Sequence, residues 1–514
     1  MTTLASFLSR HTAGPAGALL LASLGLALPA AAQTTPAAPP AAAVPQAAPS
    51  GPWSLQQAVD YALKNNLQVR QSQLTSELSD ATLRQSRAGL LPTANANASQ
   101  NWNFGTSIDP LTNEFKTSTI RSNNFSLSGQ VNLFSGFQVR NTIKRDALDY
   151  QASLNDIEKA RNDLSLNVAS AYLQVLLADE LLRTNQLRVN STQQQVERTQ
   201  KLLRAGSVAE SNLLDSQAQL ASDELNVVTA QNQRNLALLQ LAQLLNLDAA
   251  GSSNVAIVTP QLPDPDEVPL ENDLNGIYET AQGRLPEIKA ADLRVQSSMR
   301  GVEVARGAYY PRLSFGAGIF TGYSSARSSF IPTGEVDFSY APVFIYNPAA
   351  PTTPPIPTQY VTGVAQPRFE TKPTAFSNQL GDNLGKQLQF NLNIPILNGF
   401  QARTNVQRSE INVKRAELNR EQARLTLRQS IQQAYADALA AQRRYASSKR
   451  QVEALATAQR NAEIRFNNGL MNGTDYNIAK NNLNAAESTM IQAKYEYLFR
   501  SKVLDFYQGK PLAL

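Results

Sequence analysis

The sequence predicts a mixed α and β membrane protein, built by internal duplication, whose strands close a barrel only together with other copies of the chain. Three observations carry that expectation. FSLSGQVNLFSGF at 125–137 and QFNLNIPILNGF at 389–400 both alternate apolar with small polar residues, reach a Gly-Phe, and run into a long segment free of Gly and Pro. Laying Gly136 on Gly399, an offset of 263, brings Arg140 onto Arg403, Ala171-Tyr172 onto Ala434-Tyr435 and Gly206 onto Gly469 without a gap, which marks a repeat. Only four such strands are found, whereas the smallest membrane barrels need about eight and an open sheet edge is not tolerated in lipid. Two, three or four copies would supply about eight, twelve or sixteen strands, and spacing does not choose among them.

The elements follow in order. Arg10 and His11 precede the apolar run GALLLASLGLALP, which ends at Ala30-Ala31-Ala32. That is the layout of a secretory signal peptide over 1–32, with cleavage expected before Gln33. Residues 33–52 are almost all Ala, Pro, Gln and Thr and read as a disordered leader. No later run reaches the roughly 18 apolar residues of a spanning helix.

The 514 residues contain no Cys, and the single His is His11. An exported chain without Cys or further His offers no disulfide framework, no Ser-His-Asp triad, no Cys nucleophile and no His or Cys metal site. The reading is therefore a non-enzyme without cofactor. Net charge is +5, one less without Arg10, but Lys and Arg are interspersed with Asp and Glu along helical stretches. That describes solvated helix faces rather than a nucleic-acid patch.

The first copy, 53–270, reads as a helix over 54–88, strands at 93–104 and 122–134 with a short loop between, a long helix over 140–204, a helix over 208–246, and the segment AGSSNVAIVTPQLPDPDEVPL at 250–270. In the second copy, 271–509, the upstream part repeats at offset 219, with Leu91-Pro92 on Tyr310-Pro311 and Ala62 on Ala281. A helix, strands at 312–323 and 386–397, a long helix over 403–467 and a helix over 474–507 follow. The two offsets differ by 44 residues (263 minus 219), inserted between the second pair of strands. That region, 324–384, is rich in Pro, Tyr, Phe, Ser and Thr and is expected to be a long loop. Each long helix would reach on the order of 100 Å, beyond any ordinary globular core. The first carries a heptad skeleton: Ile143, Ala147, Tyr150, Leu154 and Ile157, then Leu164, Val168, Ala171, Val175, Ala178, Leu182, Asn185, Val189, Thr192, Val196, Thr199 and Leu203. This spacing implies coiled-coil packing along a shallow seam.

The strands have two unlike faces. Ala96, Trp102, Leu127, Phe315 and Phe390 belong to apolar faces, and Asn97, Ser126, Ser314 and Gln389 to polar ones. Strands of about 10 to 13 residues suit a tilted membrane crossing. The polar faces are uncharged but for Arg312 and Lys386, which suits a wet lumen, and aromatics lie toward the strand ends.

Together, WSLQQAVDYALKNNLQVR at the start, LFSGF and ILNGF after the strands, and the turns LLRAGSVAESNLLDSQAQL and RFNNGLMNGTDYNIAKNNL resemble the TolC family of outer-membrane efflux proteins over 53–509. The resemblance implies a homotrimer with a shared 12-strand barrel in outer-membrane lipid and a helical tube in the periplasm of a Gram-negative-type cell. The shorter helices stack beside the long ones, and 250–270 lies near the tube's middle belt. It also implies the exit duct of a tripartite efflux pump, opened by a periplasmic adaptor protein and driven by an inner-membrane transporter, or of a type I protein secretion system.

Two sets of residues come with the resemblance. The helix-turn tips that would dock the adaptor are Ala205-Gly206-Ser207 and Asn468-Gly469-Leu470, where the family usually has Val-Gly-Leu or Val-Gly-Thr. The periplasmic gate candidates are Asp475, Asp215, Asn212, Phe466 and Met471. Asp475 matches a family aspartate, whereas Ile478, Met471 and Phe466 replace the family's second Asp, its Arg and its Tyr, and Asn212 stands for its first-copy Asp. Closure is then mostly apolar, and Asp475 either forms one acidic ring across the trimer or only caps its helix. Two other readings compete. One is a pore-less periplasmic coiled-coil tether, which leaves the two-faced strands unexplained. The other is a carboxylate hydrolase using Glu335, Asp337 and Glu370, which has no paired motif.

Overall fold

The computed structural model describes residues 51–108, 115–248, 255–260, 273–345, 349 and 356–510. The signal peptide over 1–32, the leader up to residue 50 and most of 250–270 lie outside the described residues.

Helices α1 (Leu55–Asn65) and α2 (Leu67–Ala88) lead into strands β1 (Thr93–Ile108) and β2 (Phe115–Ser135), then α3 (Gln138–Arg204) and α4 (Glu210–Leu244). The second copy runs α5 (Leu274–Arg284), α6 (Pro286–Arg306), β3 (Arg312–Ser324), β4 (Ser328–Ile345), β5 (Ile356–Pro373), α7 (Phe376–Asp382), β6 (Gly385–Asn393), α8 (Gln401–Asn467) and α9 (Gly473–Tyr507). Both bounds of α8 and of α9 lie 263 residues after those of α3 and α4, and α5, α6 and β3 begin 219 residues after α1, α2 and β1.

The expected helix over 54–88 is two helices. Asn66 takes an extended conformation and its side chain accepts from Gln68 N at 2.8 Å. An Asn bonded to its own following backbone is an N-cap, so a new helix starts there. Both long helices begin the same way, with Gly136 and Phe137 at φ 61° and 61°, and Gly399 and Phe400 at 58° and 61°. Two successive left-handed residues turn the chain sharply into each helix, directly from β2 in the first copy and after 394–398 in the second. An L-residue pays about 1–2 kcal/mol for that conformation. Phe137 is held there by edge contacts to Phe134 and Tyr310, with ring centroids 5.2 and 6.3 Å away.

The main sheet is antiparallel in the order β1-β2-β3-β6. Its register puts Ala96, Leu127, Ile319 and Lys386 on one face, and Asn97, Ser126, Ser128 and Gly318 on the other. Lys386 therefore does not belong to the polar face expected for it. It pairs with Ile319 near the end of the β3–β6 ladder, where a long aliphatic stem can carry its ammonium out of an apolar belt. Simple alternation also fails at Leu133, which a β-bulge between Asn132 and Phe134 leaves without an opposing residue.

The region 324–384 is not a loop. β4 and β5 form a separate two-stranded ribbon, and α7 returns the chain to the sheet. Likewise β1 and β2 run well into the stretch expected as a short first-copy loop, and β6 ends at Asn393 rather than 397. The ribbon base is fixed by Gln379, which is fully buried. Its Oε1 accepts from Ser324 N at 2.9 Å, and its Nε2 donates to Ser324 O at 3.0 Å and Thr374 O at 2.9 Å. One side-chain amide thus substitutes for a neighbouring strand where the β3–β6 ladder has ended. Gln379→Ala removes a partner from Ser324 N and Thr374 O, at about 1–3 kcal/mol each when they stay dry, while Ser324 O still accepts from Arg327 N at 3.2 Å. It is expected to speed trypsin cleavage after Arg327 and Arg368 without altering cleavage in the helices.

The largest apolar core lies midway along the helices. Trp53, Leu55 and Ala58 meet Val168, Tyr172, Val175 and Leu176 of α3, Leu241 and Leu245 around the end of α4, and Tyr495 of α9. Trp53 forms a parallel bridge with Ile257. The Tyr172 hydroxyl lies 2.6 Å from Val258 O and 3.0 Å from Trp53 O. From Leu164 onward the buried α3 positions include 164, 168, 171, 175, 178, 182, 192, 196 and 199. Nearer the sheet the skeleton shifts: Leu154 is exposed and Asp146, Ala152 and Ser153 are buried instead. There α3 faces α2, with Asp146 bonded to Ser86 and Ser153 to Ser76.

Candidate functional site

Three features could carry function: the two-faced sheet, the groove beneath it, and the helix tips. On the sheet's apolar face Leu388, Phe390 and Leu392 are 75%, 69% and 58% exposed. Stripping water from such a face is worth about 25 cal/mol per Å², so a face left this bare marks a partner or a lipid surface. The opposite face aligns Asn95 with Ser128, Gln130 with Gly316, and Ser314 with Asn391. These groups can bond to water but have no acid, base or nucleophile function.

Below this face opens a groove of about 1710 Å³ between the sheet and helices α3, α6 and α8, lined by Asn132, Arg312, Asn391, Arg145, Glu287 and Arg415 among others. Burial pushes the Glu287 carboxyl above its usual range. Arg294 is paired with Asp156 and Arg145 with Asp146, so part of the charge beside the groove is neutralised locally. Among the described residues no group of His, Cys, Asp and Glu could hold a metal ion.

Both hairpin tips have one geometry. At the α3–α4 turn, Ser207 N donates to Leu202 O and Gly206 N to Leu203 O, each at 2.9 Å. At the α8–α9 turn, Leu470 N donates to Arg465 O at 2.8 Å and Gly469 N to Phe466 O at 3.0 Å. These are Schellman closures, with Gly206 at φ 72° and Gly469 at 74°. Ala205, Gly206, Ser207, Asn468, Gly469 and Leu470 are all exposed. An added Cβ on either glycine would meet nothing within 4 Å, so the tips are narrow and accessible.

Of the gate candidates, Asn212 and Phe466 are brought together around Gly473, where an added Cβ would lie 3.6 Å from Asn212 Oδ1 and 3.9 Å from Phe466. Phe466 stacks on Tyr476 at 4.8 Å and 11°. Met471 is half-buried, and Asp215 and Asp475 are exposed. Neither aspartate has an ion pair among the described residues. Asp475 sits in the first turn of α9, and its N–H donates to the Asn472 cap at 2.7 Å.

A further cluster went unread in the sequence. Lys480 Nζ donates to Thr192 Oγ1 at 2.7 Å, and Thr192 Oγ1 lies 2.6 Å from Asp223 Oδ2. All three residues are buried. The available signal was the seven-residue spacing of Ser216, Asp223, Ala230 and Ala237, all buried along α4, which places Asp223 in a packing seam.

A sheet polar on one side and bare apolar on the other is carried here on paired helices of 67 residues, a long helical architecture with a β domain. The model of the outer membrane efflux protein family matches residues 58–247 and 372–510, and the chain belongs to that family. Its members are channel proteins, which places this chain in the outer membrane with a large periplasmic part.

The chain is 26% identical over 215 residues to the pyoverdine export outer membrane protein OpmQ of Pseudomonas putida, covering 42% of this chain and 44% of that one. It is 27% identical over 289 residues to outer membrane protein OprJ of Pseudomonas aeruginosa, covering 56% and 59%. These matches span about half the length of the relatives. The fold is shared with the CmeC outer membrane channel of Campylobacter jejuni, at TM-score 0.67 and 19% identity over 90% of this chain and 87% of that one.

Proposed function

We propose that the protein is a passive exit duct of a tripartite efflux pump. It forms a homotrimer in which three four-stranded sheets close a 12-strand barrel in outer-membrane lipid. A periplasmic adaptor docks at the Gly206 and Gly469 tips and opens it, and an inner-membrane transporter supplies the energy. Residues 53–270 and 271–509 are its two repeats. Asp475, in the first turn of the helix that Asn472 caps, adds an acidic ring at the periplasmic end, beside Asp215, Phe466 and Met471.

The observation that carries this reading is a mismatch between quasi-equivalent faces. In α8, Ile411, Leu418 and Leu425 are exposed at heptad spacing, whereas their repeat mates 263 residues earlier, Leu148, Asn155 and Asn162, are half-buried. In α2, Leu67, Leu74 and Leu78 are exposed, whereas the residues 219 further on, Pro286, Leu293 and Ser297, are buried or half-buried. What α3 and α6 do for each other inside the chain, α8 and α2 can do only with a neighbouring copy. The sheet has the same incompleteness, since among the described residues β1 and β6 each pair on one side only.

The same comparison argues against the pore-less tether, which needs neither the two-faced sheet nor its open edges. The test is molar mass in detergent. The duct reading expects three chains per particle and precipitation when detergent is removed. A monomer that stays in solution without detergent would sink it.

A further inference from the structure

Just below the sheet, one side of the helices carries cations that no carboxylate among the described residues pairs. A second groove, of about 560 Å³, runs there between α3 and α6. Lys144 of α3 and Met299, Arg300 and Glu303 of α6 are among its lining residues. It lies behind the large groove. On α6 the large groove takes Glu287, Arg294 and Gly301, and at 3.6 residues per turn Met299, Arg300 and Glu303 fall on the opposite side of the helix. The large groove opens below the polar face of the sheet, so the second one lies on the side of the apolar face.

Glu303 is already bonded to Arg306 at 3.2 Å. Lys144 and Arg300 are exposed and make no ion pair among the described residues. Arg140, four residues nearer the sheet and on the same side of α3 as Lys144, is exposed and unpaired in the same sense. Lys144 comes seven residues after Phe137, and Arg300 seven residues before Gly307. Both cations therefore sit at one depth, about 10 Å below the junction of helix and sheet. Phe137, Tyr309 and Tyr310 are exposed at that junction, and the paired Leu127 and Ile319 of β2 and β3 are exposed above it. Aromatic rings on a membrane protein mark the headgroup level, and a Lys or Arg just outside that level reaches the headgroups with its long side chain.

The quasi-equivalent seam lacks the feature. At the offset of 263 Lys144 corresponds to Gln407, and at 219 Met299, Arg300 and Glu303 correspond to Asp80, Ala81 and Arg84. Arg84 is paired with Asp80. Where α8 would meet a neighbouring copy's α2, neither groove cation has a counterpart at its position.

We propose that the α3–α6 groove holds one phospholipid with an anionic headgroup from the periplasmic leaflet, once per chain. Its phosphate sits on Lys144 and Arg300, and its acyl chains run past the junction aromatics onto the apolar face of β2 and β3. A free phosphate would use the cations but not the apolar surface above them. Because α3 and α6 belong to different repeats, the lipid clamps the two repeats of one chain at the level where the sheet begins. The comparison of seams rests on the duct reading.

The test counts lipid on delipidated, detergent-solubilised protein by native mass spectrometry, with phosphatidylglycerol or phosphatidylcholine added at equal concentration. A cation beside an anionic headgroup is worth about fivefold in binding, so wild type is expected to hold one phosphatidylglycerol per chain about tenfold or more tightly than phosphatidylcholine. Lys144→Gln with Arg300→Gln is expected to bring the two lipids to within about twofold of each other. Lys414→Gln removes an exposed cation at the repeat mate of the groove residue Gln151 and is expected to leave the preference intact. Equal binding of both lipids to wild type, a preference that survives the double variant, or one that Lys414→Gln also abolishes would overturn the proposal. Displacement of the lipid by inorganic phosphate would overturn it too, since the site would then take phosphate alone. If the double variant does not assemble, Arg300→Gln decides: an unchanged preference overturns the proposal and a drop of about fivefold upholds it. Wild type that runs as a monomer fails the duct reading, whereas the lipid count per chain is read in either state, so the two failures are distinct.

Discussion

Gly136→Ala is expected to prevent accumulation of folded protein, while Gly399→Ala, the same change at the repeat-equivalent site, is expected to fold. Both glycines sit at positive φ, 61° and 58°, so each alanine pays about 1–2 kcal/mol of left-handed strain. Their surroundings differ. A Cβ on Gly136 would overlap the carbonyl oxygen of Gly307 and the Cβ of Tyr310, and a Cβ on Gly399 meets nothing within 4 Å. Backbone cannot step aside as a flexible side chain can, so overpacking adds about 1–3 kcal/mol or more at Gly136. Together these consume a large share of the roughly 5–15 kcal/mol that stabilises a typical protein.

The residue 219 before Gly307 is Ala88, next to Gly89. In the proposed trimer another copy's Ala88–Gly89 would approach Gly399 as Gly307 approaches Gly136. Gly399→Ala is therefore expected to yield folded chains that assemble poorly, seen as a lower trimer fraction by mass in detergent. Equal yields and equal trimer fractions for the two variants would contradict both the packing argument and the proposed neighbour.

The second large effect is at Tyr172. Tyr172→Ala is expected to cost about 3–5 kcal/mol through the cavity it leaves, in the one core that joins α1, α3, α4 and α9. Tyr172→Phe keeps the ring and removes only the hydroxyl that meets the Val258 and Trp53 carbonyls, at about 1–3 kcal/mol. The phenol also makes a pH signature. Burial pushes the Tyr172 and Tyr495 pKa values up to about 12, against about 10 in an unfolded chain. The folded state keeps protons that the unfolded state releases. This stability is complete below pH of about 10 and is lost as pH rises toward 12. Thermal unfolding in detergent should show a melting temperature that falls across that window. The fall should be shallower in Tyr172→Phe, in which only Tyr495 still titrates of the pair. A melting temperature that stays level from pH 9 to 12 would contradict the burial argument.

How much of this was legible depends on the range over which each signal acts. Long helices and two-faced strands could be read because periodicity and the absence of Gly and Pro are local properties. The ribbon was hidden because Pro332, Pro342 and Pro367 interrupt its alternation and read as loop punctuation. Its strands tolerate them in part because two register shifts break the ladder. Lys386 was assigned by its charge rather than by parity along its strand, and the register corrects it. The tip glycines could be found from sequence because αL closure selects glycine. The buried cluster could not: Thr192 falls in the heptad seam of α3 and Asp223 in a seven-residue spacing along α4, but nothing local brings Lys480 to them until the packing of α9 on α3 and α4 is known.

The central claim is a gated pore shared between copies, and single-channel recording of the purified, detergent-solubilised protein in planar bilayers tests it most directly. Trimeric particles are expected to give small, discrete, uniform current steps. Protein that inserts no channels, or that gives only irregular leak while running as a monomer, would contradict it and leave the strands as a sheet on some other partner.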